Sequence, residues 1–81
     1  MDITKEILEI VNMTTELPQE DFDFILELLE HDEWGVAFET LCAAILEEGL
    51  PIAQETYTKL ESLCHAMGMD KSDLLQIVPT Q

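Results

Sequence analysis

Apolar residues of this 81-residue chain recur at spacings of three and four in four successive blocks, and glycine or proline lies near most of the block ends. This spacing places the apolar side chains on one face of an α-helix. No stretch alternates apolar and polar residues for long enough to predict a strand. The pattern predicts helices over 3–13, 19–31, 33–48 and 53–67, then a short helical tail that Asp70 caps. We therefore expect an all-α fold, a compact bundle of four helices plus a short C-terminal helical turn, in one domain spanning 1–81.

Particular residues mark the predicted helix ends and the core. Pro18 suits the first turn of the second helix, and Gly49 and Gly68 suit the ends of the third and fourth. Asp32 is expected to cap the start of the third helix. The third helix carries an apolar stripe that consists of Trp34, Phe38, Leu41 and Ile45. We expect all four side chains to pack in the core, and a binding hot spot is the alternative for Trp34.

Three further expectations concern packing. Phe24 and Leu28 widen the apolar arc of the second helix, which predicts contact with more than one neighbour. On the fourth helix, Glu55 and Lys59 have the spacing of an intrahelical ion pair. The core face of that helix is expected to comprise Ala53, Tyr57, Leu60, Cys64 and Met67, with Leu63 beside it.

The charge of the chain limits what it can bind. Eighteen carboxylates face three lysines and no arginine, so the formal net charge is −15, while 47% of residues are hydrophobic. Such a chain lacks the basic surface that nucleic acids, anionic membranes and phosphate substrates require. Fifteen excess charges exceed what solubility needs. The composition favours a folded domain that binds a cationic protein partner.

The sequence offers no recognisable catalytic or metal-binding set. His31 and His65 have no partner at a known spacing, and adjacent Cys64 and His65 point about 100° apart on a helix. CxxC, HExxH and EF-hand patterns are absent. Ser62 and Ser72 do not stand in the motif that carries the prosthetic group of acyl carrier proteins. We predict no catalytic residue, no metal and no cofactor, so the chain is not expected to be an enzyme.

The cysteines and the N-terminal residues bear on the compartment. No apolar signal segment follows Met1, and no run of about 20 apolar residues could span a membrane. We therefore expect a cytoplasmic protein in which Cys42 and Cys64 are buried thiols.

Several carboxylates are candidates for contact with a basic partner. Four of them form one contiguous stripe on the second helix, two lie at the junction that follows it, and one lies off the core face of the third helix. These residues are Glu20, Asp23, Glu27 and Glu30, then Asp32 and Glu33, then Glu39. Any single carboxylate is more often solvated than bound, but as a set they define a candidate interface.

A likeness to a known family begins with the segment Glu30-His31-Asp32-Glu33-Trp34-Gly35-Val36-Ala37-Phe38-Glu39-Thr40-Leu41-Cys42, followed by Pro51-Ile52 about ten residues later. This pattern resembles the MafI family of immunity proteins. The likeness covers roughly residues 24–60. It implies an immunity protein that binds a cognate bacterial polymorphic toxin of the Maf or contact-dependent growth inhibition kind, commonly an RNase and in some cases EndoU-type. The chain departs from the family at 43–47, where Ala43-Ala44-Ile45-Leu46-Glu47 is less polar than usual.

Three hypotheses follow. The first is an immunity protein that binds the nuclease domain at the C-terminus of its toxin, one to one, and covers the active site or the path of the substrate. The second is an acidic adaptor or DNA-mimic inhibitor of a nucleic-acid-binding protein, which predicts two rows of carboxylates. The third, a small enzyme, has no candidate machinery. Neither binding hypothesis involves direct contact with nucleic acid or membrane.

Overall fold

The computed structural model describes residues 2–79, except for the side chains of Asp73 and Leu75. Four α-helices, α1 (Ile3–Met13), α2 (Gln19–Glu30), α3 (Trp34–Glu48) and α4 (Gln54–Ala66), are followed by a 3-10 helix, η1 (Lys71–Gln76). Residues 2–79 contain no strand. The predicted all-α bundle of four helices with a short C-terminal helical turn is confirmed, and each predicted helix boundary lies within one residue of the observed one.

Helix α3 is the central element of the bundle. It packs against α1, α2 and η1, while α4 packs against α1 and η1. The Cα radius of gyration is 11.3 Å, close to the roughly 12 Å that a compact chain of this length has. Within residues 2–79, no helix is both long enough and apolar enough to cross a bilayer.

The core depends on a broad apolar face of α3. Six residues of α3 are buried, namely Ala37, Phe38, Leu41, Cys42, Ala44 and Ile45. At 100° per residue these side chains cover an arc of about 160°, wide enough to contact neighbours on two sides. All of these residues except Ala44 form one cluster with Ile7, Ile10 and Val11 of α1 and Leu60, Leu63 and Cys64 of α4. The prediction that both cysteines are buried is confirmed.

Helices α2, α3 and α4 end in the same backbone motif. Asp32, Gly49 and Gly68 adopt left-handed conformations, with φ of 57°, 61° and 68°. After each of them, the next N–H donates to the carbonyl five residues earlier, at 2.9 to 3.0 Å. This arrangement is a Schellman motif, which satisfies carbonyls that a helix end otherwise leaves unpaired. The capping roles predicted for Gly49 and Gly68 are confirmed.

The predicted role of Asp32 as the N-cap of α3 is wrong. Asp32 lies in the left-handed position that ends α2, and its N–H donates to the Leu29 carbonyl at 3.1 Å. Glu33 occupies the N-cap position of α3, without a capping hydrogen bond from its side chain. The junction between α2 and α3 is short. A single left-handed residue therefore both ends α2 and turns the chain into α3, so Asp32 is not available as the N-cap.

We predict that Asp32→Gly stabilises the fold relative to Asp32→Ala by about 1 kcal/mol, because an L-residue at positive φ pays a steric cost that glycine avoids. Both substitutions remove the same charge, so the Ala variant is the control for electrostatics. Urea unfolding followed by circular dichroism measures the difference. Equal midpoints for the two variants would contradict the assignment of a left-handed cap at Asp32.

The remaining packing expectations are met in part. Phe24 is 49% exposed, whereas Leu28 packs against the core, and α3 is the main neighbour of α2. Ala53 is exposed because it precedes α4, and Thr56 is buried on the inner face instead. The predicted cap at Asp70 is confirmed, since its Oδ1 accepts from the Ser72 N–H at 2.9 Å. Tyr57 Oη donates to a carbonyl of η1, at 3.3 Å.

Candidate binding surface

All seven carboxylates that the sequence singles out are exposed. Four lie along α2, two lie in the turn to α3, and Glu39 lies on the solvent side of α3. The acidic row of α2 consists of Glu20, Asp23, Glu27 and Glu30. Their spacings of three, four and three put them on one helix face, with neighbouring Cβ atoms about 5–6 Å apart.

The acidic row has no cation near it in the sequence. No lysine or arginine occurs between Lys5 and Lys59, a span that includes all of α2 and α3. A neutral side chain forms a hydrogen bond with one member of the row, since Gln19 Nε2 donates to Asp23 Oδ1 at 2.8 Å. Because like charges at this spacing repel one another, the row costs the folded state free energy and gives this face of α2 a negative potential.

Three carboxylates, one of them in the acidic row, lie at helix ends where their charge opposes helix formation. Glu30 is the last residue of α2, and Glu47 and Glu48 are the last two of α3. The carbonyl end of a helix carries partial negative charge, so each carboxylate there is unfavourable by about 0.3–1 kcal/mol. The acidic side chains are therefore not distributed to maximise stability, which supports a use outside folding.

Lys59 forms an ion pair with Glu9 of α1. The Nζ of Lys59 lies 2.8 Å from Glu9 Oε1, and both side chains are partly exposed. The predicted partner, Glu55 on the same helix, acts on Lys59 through its charge. The prediction fails because α1 packs on α4 and brings Glu9 within reach, a tertiary contact that spacing along one helix does not reveal. The pair links two helices at their surface.

The ion pair predicts a specific titration. The hydrogen bond from Lys59, followed by its positive charge, lowers the pKa of Glu9, and the reciprocal contacts raise the pKa of Lys59. Glu9 thus contributes stability that is present above the ordinary carboxyl pKa and is lost as the pH falls through its folded pKa. Lys59→Met is expected to raise the pKa of Glu9, measured by carboxyl NMR titration. The control is Lys71→Met on η1, and an equal rise in both variants would refute the pairing.

Trp34 is the main departure from the predicted core. It is 39% exposed, although its angular position lies in the middle of the buried arc of α3. Trp34 is the first residue of the helix, and helical side chains lean toward the N-terminus. The indole therefore extends past the packed layers to the start of α1, where Nε1 donates to Thr4 Oγ1 at 2.8 Å. Periodicity fixes the angle of a side chain around the helix but not whether a neighbour reaches it at the helix end.

An open groove lies beside Trp34, where the starts of α1 and α3 meet the end of α4. Its volume is about 500 Å³. Trp34 and four aliphatic or thioether side chains supply most of the wall, namely Ile3, Val36, Met67 and Met69. Asp32 and Glu33 also line it, and both are exposed. Sequence reasoning places these two carboxylates in the candidate interface but does not reveal the groove, because three separate elements form it.

The histidines and cysteines differ in their exposure. His31 and His65 are exposed, and Cys42 and Cys64 are buried. Among the residues that the structure describes, no three histidine, cysteine or acidic side chains are grouped so as to hold a metal ion. The chain matches no protein-family model, no curated protein and no solved structure.

Proposed function

We propose that this chain is an immunity protein that binds and neutralises a cognate bacterial polymorphic toxin, namely a basic RNase such as one of the EndoU type. The observation that carries the proposal is the exposed acidic row of α2, continued by Asp32 and Glu33, in a part of the sequence that has no lysine or arginine between Lys5 and Lys59. The resemblance of the Glu30–Cys42 segment to the MafI family supports the same partner.

Charge complementarity explains why a nuclease suits this surface. A nuclease that binds RNA must present lysine and arginine to the phosphates. The carboxylates of α2 can take the place of those phosphates, and the field of a strongly acidic chain accelerates the encounter. An inhibitor that occupies the cationic cleft excludes the substrate without needing catalytic residues of its own.

The dimensions of the bundle are sufficient for this role. Its principal extents are 31 × 27 × 18 Å, so its broad face is comparable to the roughly 800 Å² per partner that a stable protein complex buries. One copy of the chain can therefore cover one nuclease site. Under this proposal the complex forms one to one in the bacterial cytoplasm, where RNA is the substrate to be protected.

The second binding hypothesis, mimicry of DNA, receives less support. It requires two rows of carboxylates at phosphate-like spacing. Helix α2 supplies one row, whereas the carboxylates of α3 are limited to Glu39, Glu47 and Glu48. We therefore favour inhibition of a nuclease over occupation of a DNA-binding groove.

Calorimetric titration tests the proposed partner. The ligand is a catalytically inactive form of the basic toxin domain encoded immediately upstream of this chain. We expect saturation at one to one, with a dissociation constant that rises as salt is added, because screening weakens the charge complementarity. Lysozyme, a basic protein that is not a nuclease, is the control. Absence of binding at low salt, or equal affinity for lysozyme, would refute the proposal.

A further inference from the structure

The groove beside Trp34 combines an aromatic face, aliphatic walls and carboxylates. Trp34 Nε1 already donates to Thr4 Oγ1, so the indole has no N–H donor left for a ligand and offers its π surface. Val36, 44% exposed, adds apolar surface next to it. An exposed aromatic residue within an apolar depression is typical of the anchor positions in protein interfaces.

The charge around the groove selects the chemistry of its occupant. Asp32 and Glu33 line the groove, and no lysine or arginine is among its lining residues. Entry of an anionic or purely apolar group would leave these carboxylates facing a like charge or being desolvated without a partner. A cation on an aliphatic stem suits both parts of the groove, because the stem can lie along the apolar wall while the charge pairs with the carboxylates.

Arginine fits this combination better than lysine. Its planar guanidinium stacks on an aromatic face and also presents a fork of N–H donors to carboxylates. The compact, strongly hydrated ammonium of lysine can pair with a carboxylate but does not stack in this way. We propose that the groove formed by Trp34, Val36, Met67 and the carboxylates of Asp32 and Glu33 binds an arginine side chain of the basic partner.

This inference rests on the proposed function for the identity of the partner, but not for the chemistry of the groove. It separates the surface into two parts. The acidic row of α2 supplies long-range attraction, and the groove supplies a desolvated anchor that fixes the position of the partner. Rim charges act mainly on the association rate, whereas a buried anchor acts on dissociation.

The chain contains a single tryptophan, so 5-fluorotryptophan labelling gives one fluorine NMR resonance that reports on Trp34. The first probes are N-acetylarginine amide and N-acetyllysine amide at matched ionic strength. We expect the arginine probe to shift the resonance by at least about threefold more than the lysine probe, because only guanidinium stacks on the ring. Equal shifts would overturn the arginine assignment.

A matched pair of charge variants locates the effect. Asp32→Asn with Glu33→Gln removes two charges at the groove, and Glu47→Gln with Glu48→Gln removes two at the far end of α3. All four residues are exposed. Since the net charge changes equally, a difference between the variants reports position. We expect the groove pair to weaken binding of the toxin domain about tenfold and the control pair less than about threefold. Equal losses would overturn the inference.

The labelled chain with the toxin domain separates this inference from the proposed function. A one-to-one complex in which the fluorine resonance moves supports both. A complex that leaves the resonance and its solvent exposure unchanged would overturn the groove as an anchor while the immunity function stands. An arginine-specific shift without any toxin complex would overturn the immunity function and support the groove chemistry.

Discussion

Replacing the acidic row of α2 with amides is expected to weaken binding to the basic toxin domain by about 100-fold at low salt, if each exposed charge contributes roughly 0.5–1 kcal/mol at the interface. The variant is Glu20→Gln, Asp23→Asn, Glu27→Gln and Glu30→Gln. The side chains keep their size, and the amide oxygen at position 23 can still accept from Gln19. The loss is expected mainly in the association rate, which stopped-flow fluorescence measures.

The control for this variant removes four exposed charges elsewhere. Glu16→Gln, Glu47→Gln, Glu48→Gln and Glu55→Gln leave the same net charge but keep the acidic row. We expect a loss of affinity below about tenfold for the control, because the more distant charges act only through a screened field. If both variants lose affinity equally, the row has no special position in the interface and net charge alone accounts for the attraction.

Leu41→Ala is expected to destabilise the fold by about 2–5 kcal/mol, the range found when a buried leucine leaves a cavity. Leu41 is completely buried, on the central helix of the bundle. A domain of this length has a total stability of only about 4–12 kcal/mol, so the substitution is expected to remove a large fraction of it and to lower the melting temperature by about 4–8 °C for each kcal/mol lost. Urea unfolding and thermal melting by circular dichroism measure the effect.

Val36→Ala provides the matched control, because Val36 lies on the same helix and is 44% exposed. Truncation of this side chain is expected to lower the free energy of unfolding by less than about 1 kcal/mol, because the side chain buries little apolar surface in the folded state. A small loss for Leu41→Ala, comparable with that of the control, would contradict the placement of α3 at the centre of the core.

The helices were predictable because their ends depend on local chemistry. Glycine at positions 49 and 68 favours the left-handed conformation that a Schellman motif needs. The helical spacing of apolar residues then fixes which face is buried, and this correctly places Leu41, Leu60 and Cys64 in the interior. Exposure of the acidic row follows from the same spacing, since these carboxylates lie off the apolar face.

The sequence does not reveal the contacts between helices. Trp34 has the angular position of a core residue, but no neighbour covers the first turn of α3 completely. Lys59 has a possible partner on its own helix, yet the packing of α1 on α4 brings Glu9 to 2.8 Å. Asp32 suits either the end of one helix or the start of the next, and only the backbone path decides. Such features depend on three-dimensional packing, which helical periodicity along one chain does not specify.

The exposed Trp34 changes the meaning of the segment that resembles immunity proteins. On the sequence alone, its tryptophan is interpreted as a core residue and its carboxylates as the contact surface. The structure gives the segment two sides, with Ala37, Leu41 and Cys42 buried and Trp34 at an open groove. One short segment thus supports the fold and also supplies the proposed anchor for a partner.

The RNA-cleaving activity of the active toxin domain tests most directly the proposal that this chain inhibits a nuclease. Cleavage of a fluorogenic RNA is measured while the chain is added from zero to twofold molar excess. We predict that activity falls linearly and ends at one equivalent, and that the variant lacking the acidic row requires a large excess. Full cleavage at saturating concentrations of the folded chain would refute inhibition of the nuclease.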